Sequence, residues 1–172
     1  RYQQAGREHA LSARVLVNAG GPWVNEIAAL CAPAPPTRRV ALVGGTHIEL
    51  PGRLERGIYY TEAADRRAVF TMPWKGRTLV GTTEREYTGD PAALRPSAEE
   101  IEYLRASVAT YFPMRSTEVL ASWAGLRVLP QGKERAFDRP REVTLVLDDP
   151  RAPSYLAVYG GKLTGYRATA RR

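Results

Sequence analysis

The two ends of the sequence share one design, and this strongly limits the folds open to the chain. Residues 13–23 read Ala-Arg-Val-Leu-Val-Asn-Ala-Gly-Gly-Pro-Trp, and residues 154–165 read Ser-Tyr-Leu-Ala-Val-Tyr-Gly-Gly-Lys-Leu-Thr-Gly. Each passage predicts a buried strand, a tight glycine turn and the first turn of a helix. Because a strand that leads into a helix across glycines is typical of α/β layers, we expect the two ends to form one domain around a different central part.

The central part has the pattern of an antiparallel sheet. Short polar turns separate six predicted strands, at residues 39–50, 58–61, 68–73, 78–82, 119–129 and 143–147. One helix interrupts them, because Ser97 and Glu100 form a capping box and the apolar stripe that starts at Ile101 ends before Pro113. We therefore expect an α+β fold in which a helix covers an antiparallel sheet. The proline-rich passage at residues 33–36 and the second glycine segment give the expected divisions 1–34, 35–150 and 151–172.

Composition ranks the possible functions without choosing one. The 172 residues carry a net charge of +7, and 22 of the 25 basic residues are arginine. These arginines are spread along the chain, which favours a solvated basic surface over a nucleic-acid-binding patch and leaves an anionic membrane surface or a small anionic substrate open. Because Cys31 is the only cysteine, an internal disulfide and a thiolate metal cluster are excluded. No apolar run reaches the roughly 18 residues of a membrane-spanning helix.

Two residues of the predicted strands are candidates for chemistry. His47 follows Gly44 and Gly45 in an apolar strand, so we expect a bend there that directs the imidazole into a cleft. It is either a hydrogen-bonded structural histidine or a general base, since histidine titrates near neutral pH. Arg127 lies in an otherwise apolar strand, where a charge needs an anionic partner. That partner is either an internal carboxylate or an anionic substrate.

Two further basic residues lie near predicted element ends. Lys162 follows Gly160 and Gly161 at a predicted helix start, where a cation opposes the helix dipole and a negative partner would explain it. Arg141 precedes the strand at 143–147 and is either a solvated loop residue or part of an anionic pocket.

Six motifs occur in an order that carries a resemblance to a known family. They are Asn18-Ala19-Gly20-Gly21-Pro22-Trp23, Gly45-Thr46-His47-Ile48, Gly81-Thr82-Thr83-Glu84, Tyr87-Thr88-Gly89-Asp90-Pro91, Ala124-Gly125-Leu126-Arg127 and Gly160-Gly161-Lys162-Leu163-Thr164-Gly165-Tyr166-Arg167. In this order they resemble the middle and latter part of the FAD-dependent glycerol-3-phosphate dehydrogenases, within the D-amino-acid-oxidase-like flavoproteins. The resemblance covers nearly the whole chain.

The resemblance implies an enzyme that oxidises sn-glycerol 3-phosphate to dihydroxyacetone phosphate and passes electrons through FAD to quinone, or to oxygen in related oxidases. The central part then corresponds to the substrate-binding cap domain, and the ends to fragments of the FAD-binding α/β domain. By resemblance, His47 is the catalytic base and a substrate contact, Arg127 and Arg141 bind the substrate, and Lys162 stabilises the reduced flavin. The implied flavin-binding residues are Ala19, Gly20, Gly21, Trp23, Gly160, Gly161, Lys162, Leu163 and Thr164.

One expected element is absent from the sequence, because no Gly-x-Gly-x-x-Gly follows a strand. With the opening at Arg1, this predicts a piece of a longer enzyme whose N-terminal segment supplies the FAD pyrophosphate loop. We expect the piece alone to be inactive and to retain little FAD. The resemblance implies a cytoplasmic enzyme, attached peripherally to the inner face of the membrane by its quinone chemistry, with neither metal nor nucleic acid as partner. The alternatives are an FAD-dependent amino-acid or amine oxidase and a basic anion-binding module without catalysis.

Overall fold

The computed structural model describes residues 1–132 and 139–172, and it divides the chain into two compact units. The end unit consists of Arg1–Arg39 and Arg141–Arg172, and the central unit is Val40–Pro140. The divisions thus fall after residues 39 and 140, whereas the sequence led us to expect them after 34 and 150. The second difference arises because residues 144–147 pair with the strand that follows them, and so belong to the end unit.

The end unit contains a three-stranded mixed sheet. Strand β11 (Tyr155–Tyr159) pairs in parallel with β3 (Leu16–Asn18), with Leu156 opposite Val17, and in antiparallel fashion with β10 (Thr144–Leu147). A separate hairpin, which the sequence analysis did not predict, is formed by the first two strands. The elements of the end unit are β1 (Tyr2–Gln4), β2 (Arg7–His9), β3 (Leu16–Asn18), α1 (Val24–Ala29), β10 (Thr144–Leu147), β11 (Tyr155–Tyr159) and α3 (Tyr166–Ala170).

The central unit is an antiparallel sheet built around one long strand, β4. One edge of β4 pairs with β7 over residues 47–50 and with β8 over residues 42–44, while β9 follows its other edge over ten residue pairs. Strands β6 and β5 continue the sheet beyond β7. The elements are β4 (Val40–Leu50), β5 (Tyr59–Glu62), β6 (Ala68–Trp74), β7 (Arg77–Gly81), β8 (Arg85–Tyr87), α2 (Ala98–Tyr111) and β9 (Ala121–Pro130).

Helix α2 covers one face of this sheet. Leu104 and Val108 of the helix pack on Ile48, Leu50 and Val80, all of which are almost completely buried. The helix starts with the predicted capping box, in which Ser97 accepts from the Glu100 N–H and Glu100 accepts from the Ser97 N–H. The predicted α+β class, with a helix over an antiparallel sheet, is therefore confirmed.

The short strand β8 was not predicted. The strands that were predicted for the central unit occur within a few residues of their expected bounds. Among the described residues no helix has the length and apolar character needed to cross a bilayer. Nor does this part of the chain contain a group of three or more potential metal-ligating side chains.

Candidate functional site

The face of the central sheet opposite helix α2 carries the two strongest candidate residues. Along β4, Thr46, Ile48 and Leu50 are buried, so alternation places Gly45 and His47 on the other face. His47 lies opposite Gly81 on one side and opposite Trp123 on the other. The glycines do not bend β4 out of the sheet as we expected, because the strand pairs continuously with β9 from Val40 to Glu49.

The imidazole of His47 fits between its two cross-strand neighbours. It stacks on Trp123 with ring centroids 6.0 Å apart and planes inclined by 12°. On the other side, a Cβ at Gly81 would lie 2.8 Å from His47 Cγ and 2.9 Å from Nε2, so only glycine leaves room for the ring. Burial lowers the pKa of His47 below its ordinary 6.5, and the positive charge of Arg127 lowers it further. The imidazole is therefore neutral at pH 7 and can accept a proton.

Arg127 lies on the same face as His47 and finds an internal carboxylate. Its Nη1 donates a 2.8 Å hydrogen bond to Oε1 of Glu84, and the two side chains are 24% and 11% exposed. Its Nη2 lies 3.2 Å from the position that a Cβ on Gly45 would occupy. The guanidinium thus extends over Gly45, two residues from His47, and the structure brings these two predicted residues together.

Glu84 is the site residue that sequence reasoning missed. Two signals pointed to it: the motif Gly81-Thr82-Thr83-Glu84, and the need of Arg127 for an anion inside an apolar strand. Glu84 and Arg127 are 43 residues apart in the sequence. This separation concealed their pairing, because the register between distant strands cannot be deduced from a local pattern.

Hydrogen bonds to neighbouring elements fix the segment that carries Glu84. The Thr83 hydroxyl accepts a 2.8 Å hydrogen bond from the Thr46 N–H and donates a 2.6 Å hydrogen bond to Oε1 of Glu100. In addition, Nη1 of Arg67 donates to the Glu84 carbonyl at 3.1 Å. Burial alone would raise the pKa of Glu100, but the hydrogen bonds from Thr83 and the Ser97 N–H, together with Thr46 and Arg85, lower it below its ordinary value. Glu100 is therefore an anion at neutral pH.

The predicted flavin-binding residues form two loops of the end unit. Ala19, Gly20, Gly21 and Trp23 follow β3, and Gly160, Gly161, Lys162, Leu163 and Thr164 follow β11. Because β3 and β11 are parallel neighbours, both loops leave the same edge of the sheet. This carboxyl edge is where α/β sheets bind nucleotides.

The backbone of both loops needs glycine and is open to a ligand. Gly21, Gly160 and Gly161 have φ of +54°, +67° and +89°. A Cβ on Gly21 would contact nothing within 4 Å. Asn18, which is buried, fixes the first loop by accepting from the Gly20 N–H and donating to the Val24 carbonyl. Exposed glycine backbone at a common strand edge fits a flavin nucleotide.

Arg141 and Lys162 occupy different settings from Arg127. Arg141 belongs to the end unit and lies three residues before β10. Lys162 is exposed in the loop after β11 and immediately precedes a 3-10 turn, Leu163–Gly165. Of the predicted basic residues, therefore, only Arg127 shares a sheet face with His47.

Comparisons with known proteins identify the family of the chain. Residues 2–167 match the FAD-dependent oxidoreductases of the DAO family. The glycerol-3-phosphate dehydrogenase of Pseudomonas aeruginosa is 38% identical over 174 residues, which cover 96% of this chain and 33% of that protein. The D-erythritol 1-phosphate dehydrogenase of Brucella abortus is 33% identical over 177 residues, covering 100% of this chain and 35% of that protein. The chain thus spans about one third of the length of these relatives.

Solved structures show the same fold. The glycerol-3-phosphate dehydrogenase from Bacillus halodurans, complexed with FAD, superposes with a TM-score of 0.78 at 31% identity, covering 95% of this chain and 32% of that one. The amino-acid oxidase NikD, at 15% identity and a TM-score of 0.62, shares the fold alone. These matches confirm the resemblance drawn from the six motifs: the chain belongs to the family of FAD-dependent oxidoreductases.

Proposed function

We propose that the chain is part of a flavoenzyme that oxidises sn-glycerol 3-phosphate to dihydroxyacetone phosphate. The observation that carries the proposal is the placement of a neutral His47 beside Arg127 on one face of the central sheet. The names of the relatives support the substrate, since two of the most similar are a glycerol-3-phosphate and an erythritol-phosphate dehydrogenase.

The two residues divide the work on the substrate. His47 accepts the proton of the C2 hydroxyl on its imidazole as the carbonyl forms. Arg127 orients the substrate by contacting the oxygens of the substrate that are anionic or that gain negative charge during the reaction. FAD, when bound, supplies the two-electron acceptor for the hydride that leaves C2. The loops after β3 and β11 would hold the FAD, and Lys162 would stabilise negative charge on it.

A phosphate dianion needs more positive charge than Arg127 supplies, because the Glu84 carboxylate already balances that guanidinium. The resemblance names Arg141 as a substrate contact, and we propose it as the second cation on that ground alone. This need for a second cation distinguishes the proposal from the amino-acid or amine oxidase alternative, whose carboxylate substrate carries a single charge.

We also propose that a further segment of the same enzyme completes the flavin site. Val15, Leu16 and Val17 around β3 are 44–58% exposed, which is unusual for the apolar strand of a parallel pair. The relatives are about three times as long as this chain, so they have residues enough to cover that strand and to supply the pyrophosphate loop. We propose further that quinone is the electron acceptor. We also propose that the enzyme is cytoplasmic and attaches to the inner face of the membrane.

The experiment is anaerobic reduction of the flavin in the full-length enzyme. We expect sn-glycerol 3-phosphate to bleach the flavin rapidly in the wild type and about 100-fold more slowly in Arg127→Ala. Arg105→Ala is the matched control, because Arg105 forms a 2.8 Å ion pair with Glu102 on helix α2. Faster bleaching by D-erythritol 1-phosphate would identify that compound as the better substrate. Bleaching by an amino acid alone would show that the enzyme is an amino-acid oxidase.

A further inference from the structure

The central sheet carries a residue, Glu84, whose chemistry the proposed function does not use. The Glu84 carboxylate is 11% exposed, lies between β7 and β8, and accepts a hydrogen bond from Arg127. An exposed ion pair contributes little to stability, because water competes for both charges. The Glu84–Arg127 pair is largely withdrawn from water, and a charge-assisted hydrogen bond in that environment has a well-defined geometry.

We propose that Glu84 is a positioning residue, which holds the Arg127 guanidinium over Gly45 in the orientation that meets the substrate beside His47. The inference rests on the proposed function for the identity of the substrate. Arginine has four rotatable side-chain bonds, and fixing them in advance removes an entropic penalty that substrate binding would otherwise carry. Gly45 leaves the space in which the guanidinium lies, and Glu84 determines its direction.

Glu84 can serve as a fixed reference because its own backbone is held on two sides. Thr83 is bound to the Thr46 N–H, next to His47, and to Glu100 at the start of helix α2. Arg67 holds the Glu84 carbonyl from another strand edge, and Arg67 is itself bound to Asp65 at 2.6 Å. The backbone that carries the carboxylate is therefore fixed on both sides.

A second consequence is electrostatic. Arg127 lowers the pKa of His47, and because Glu84 pairs with Arg127, we expect its negative charge to offset part of that effect. Loss of the Glu84 charge should therefore lower the pKa of His47 further, whereas loss of Arg127 should raise it. Among the described residues, the charged side chains on this face also include Glu49, Glu86 and Glu62, which pair with Arg77, Arg139 and Arg66.

The test is steady-state kinetics of the full-length enzyme with sn-glycerol 3-phosphate as a function of pH. For Glu84→Gln we expect KM to rise roughly tenfold, because a charge-assisted hydrogen bond is lost, with kcat changed far less. The acid limb of kcat/KM should move to lower pH in this variant. Glu84→Asp, which keeps the charge but shortens the side chain, should raise KM and leave the acid limb in place.

Two controls distinguish positioning from a structural role. Glu102→Gln breaks an exposed arginine–glutamate ion pair on helix α2 and should change neither KM nor the pH profile. In an Arg127→Met background, Glu84→Gln should no longer raise KM, since the residue it positions is gone. Equal effects of Glu84→Gln in both backgrounds would overturn the proposal, as would a KM and an acid limb unchanged from wild type.

A measurement that needs no substrate separates this inference from the proposed function. The imidazole resonance of His47, assigned by comparison with His47→Gln, can be titrated by NMR in the wild type and in Glu84→Gln. A lower pKa in Glu84→Gln supports the coupling even if another substrate reduces the flavin. An unchanged titration overturns the coupling even if sn-glycerol 3-phosphate proves to be the substrate.

Discussion

The central sheet face and the glycine loops of the end unit hold their candidate residues in different ways. On the sheet face, neighbouring residues fix the side chains. Trp123 stacks on the His47 ring, Gly81 leaves the space for that ring, and Glu84 binds Arg127. The loops after β3 and β11 instead present backbone, with several glycines in the left-handed region. The sheet face is therefore suited to proton transfer and anion contact, and the loops to close approach of a large ligand.

The largest effect is expected at Gly45 of the sheet face. A methyl group in Gly45→Ala would meet Oγ1 of Thr82 and lie 2.8 Å from the Thr83 carbonyl oxygen, which is backbone and cannot move aside. We expect the free energy of unfolding to fall by about 2 kcal/mol, measured by urea denaturation, together with a loss of activity.

Gly125 provides the matched control, because it lies directly opposite Gly45 in the sheet. A Cβ there would contact nothing within 4 Å, so Gly125→Ala should leave stability within about 0.5 kcal/mol of wild type. Equal stability of the two variants would show that the sheet face is not as closely packed as described.

An intermediate effect is expected at Gly21 of the end unit. Its φ of +54° is strained for alanine although its Cβ position is open, so Gly21→Ala should reduce stability by about 1 kcal/mol. Gly165→Ala, also in open space but without a positive φ, is the control and should have no such effect. If the loop contacts the flavin, Gly21→Ala should reduce flavin content more than its stability loss accounts for; unchanged flavin content would remove this loop from the site.

The smallest effect concerns pH. Because the folded pKa of His47 is lowered, the unfolded chain binds more protons below pH 6.5, and stability should fall as the pH falls through that range. His47→Gln should lack this part of the dependence, as measured by denaturation between pH 8 and 5. A wild type and variant with parallel pH dependence would contradict the lowered pKa.

Local sequence patterns predicted much of this fold. The apolar run at residues 39–50 predicted β4, and Ser97 with Glu100 predicted the start of α2. These features depend on neighbours within a few residues, for which sequence pattern is a direct record of physical preference.

Contacts between distant residues were harder to predict. The motif Gly81-Thr82-Thr83-Glu84 pointed to the segment, but the partner of Glu84 is identified only when β4 and β9 pair and bring Arg127 to it. Similarly, Thr144–Leu147 has the same apolar pattern as the central strands, and only its pairing with β11 assigns it to the end unit. Register, rather than propensity, decided both cases.

The double use of Glu100 links two parts of the central unit. The same carboxylate accepts from the Ser97 N–H in the capping box and from the Thr83 hydroxyl, which also accepts from the Thr46 N–H. The first turn of α2 therefore cannot fray without loosening the strand that carries His47. Hydrogen exchange at the Thr46 and Glu100 amides should accordingly occur through one shared opening, so that the helix start and the centre of the sheet behave as a single cooperative unit.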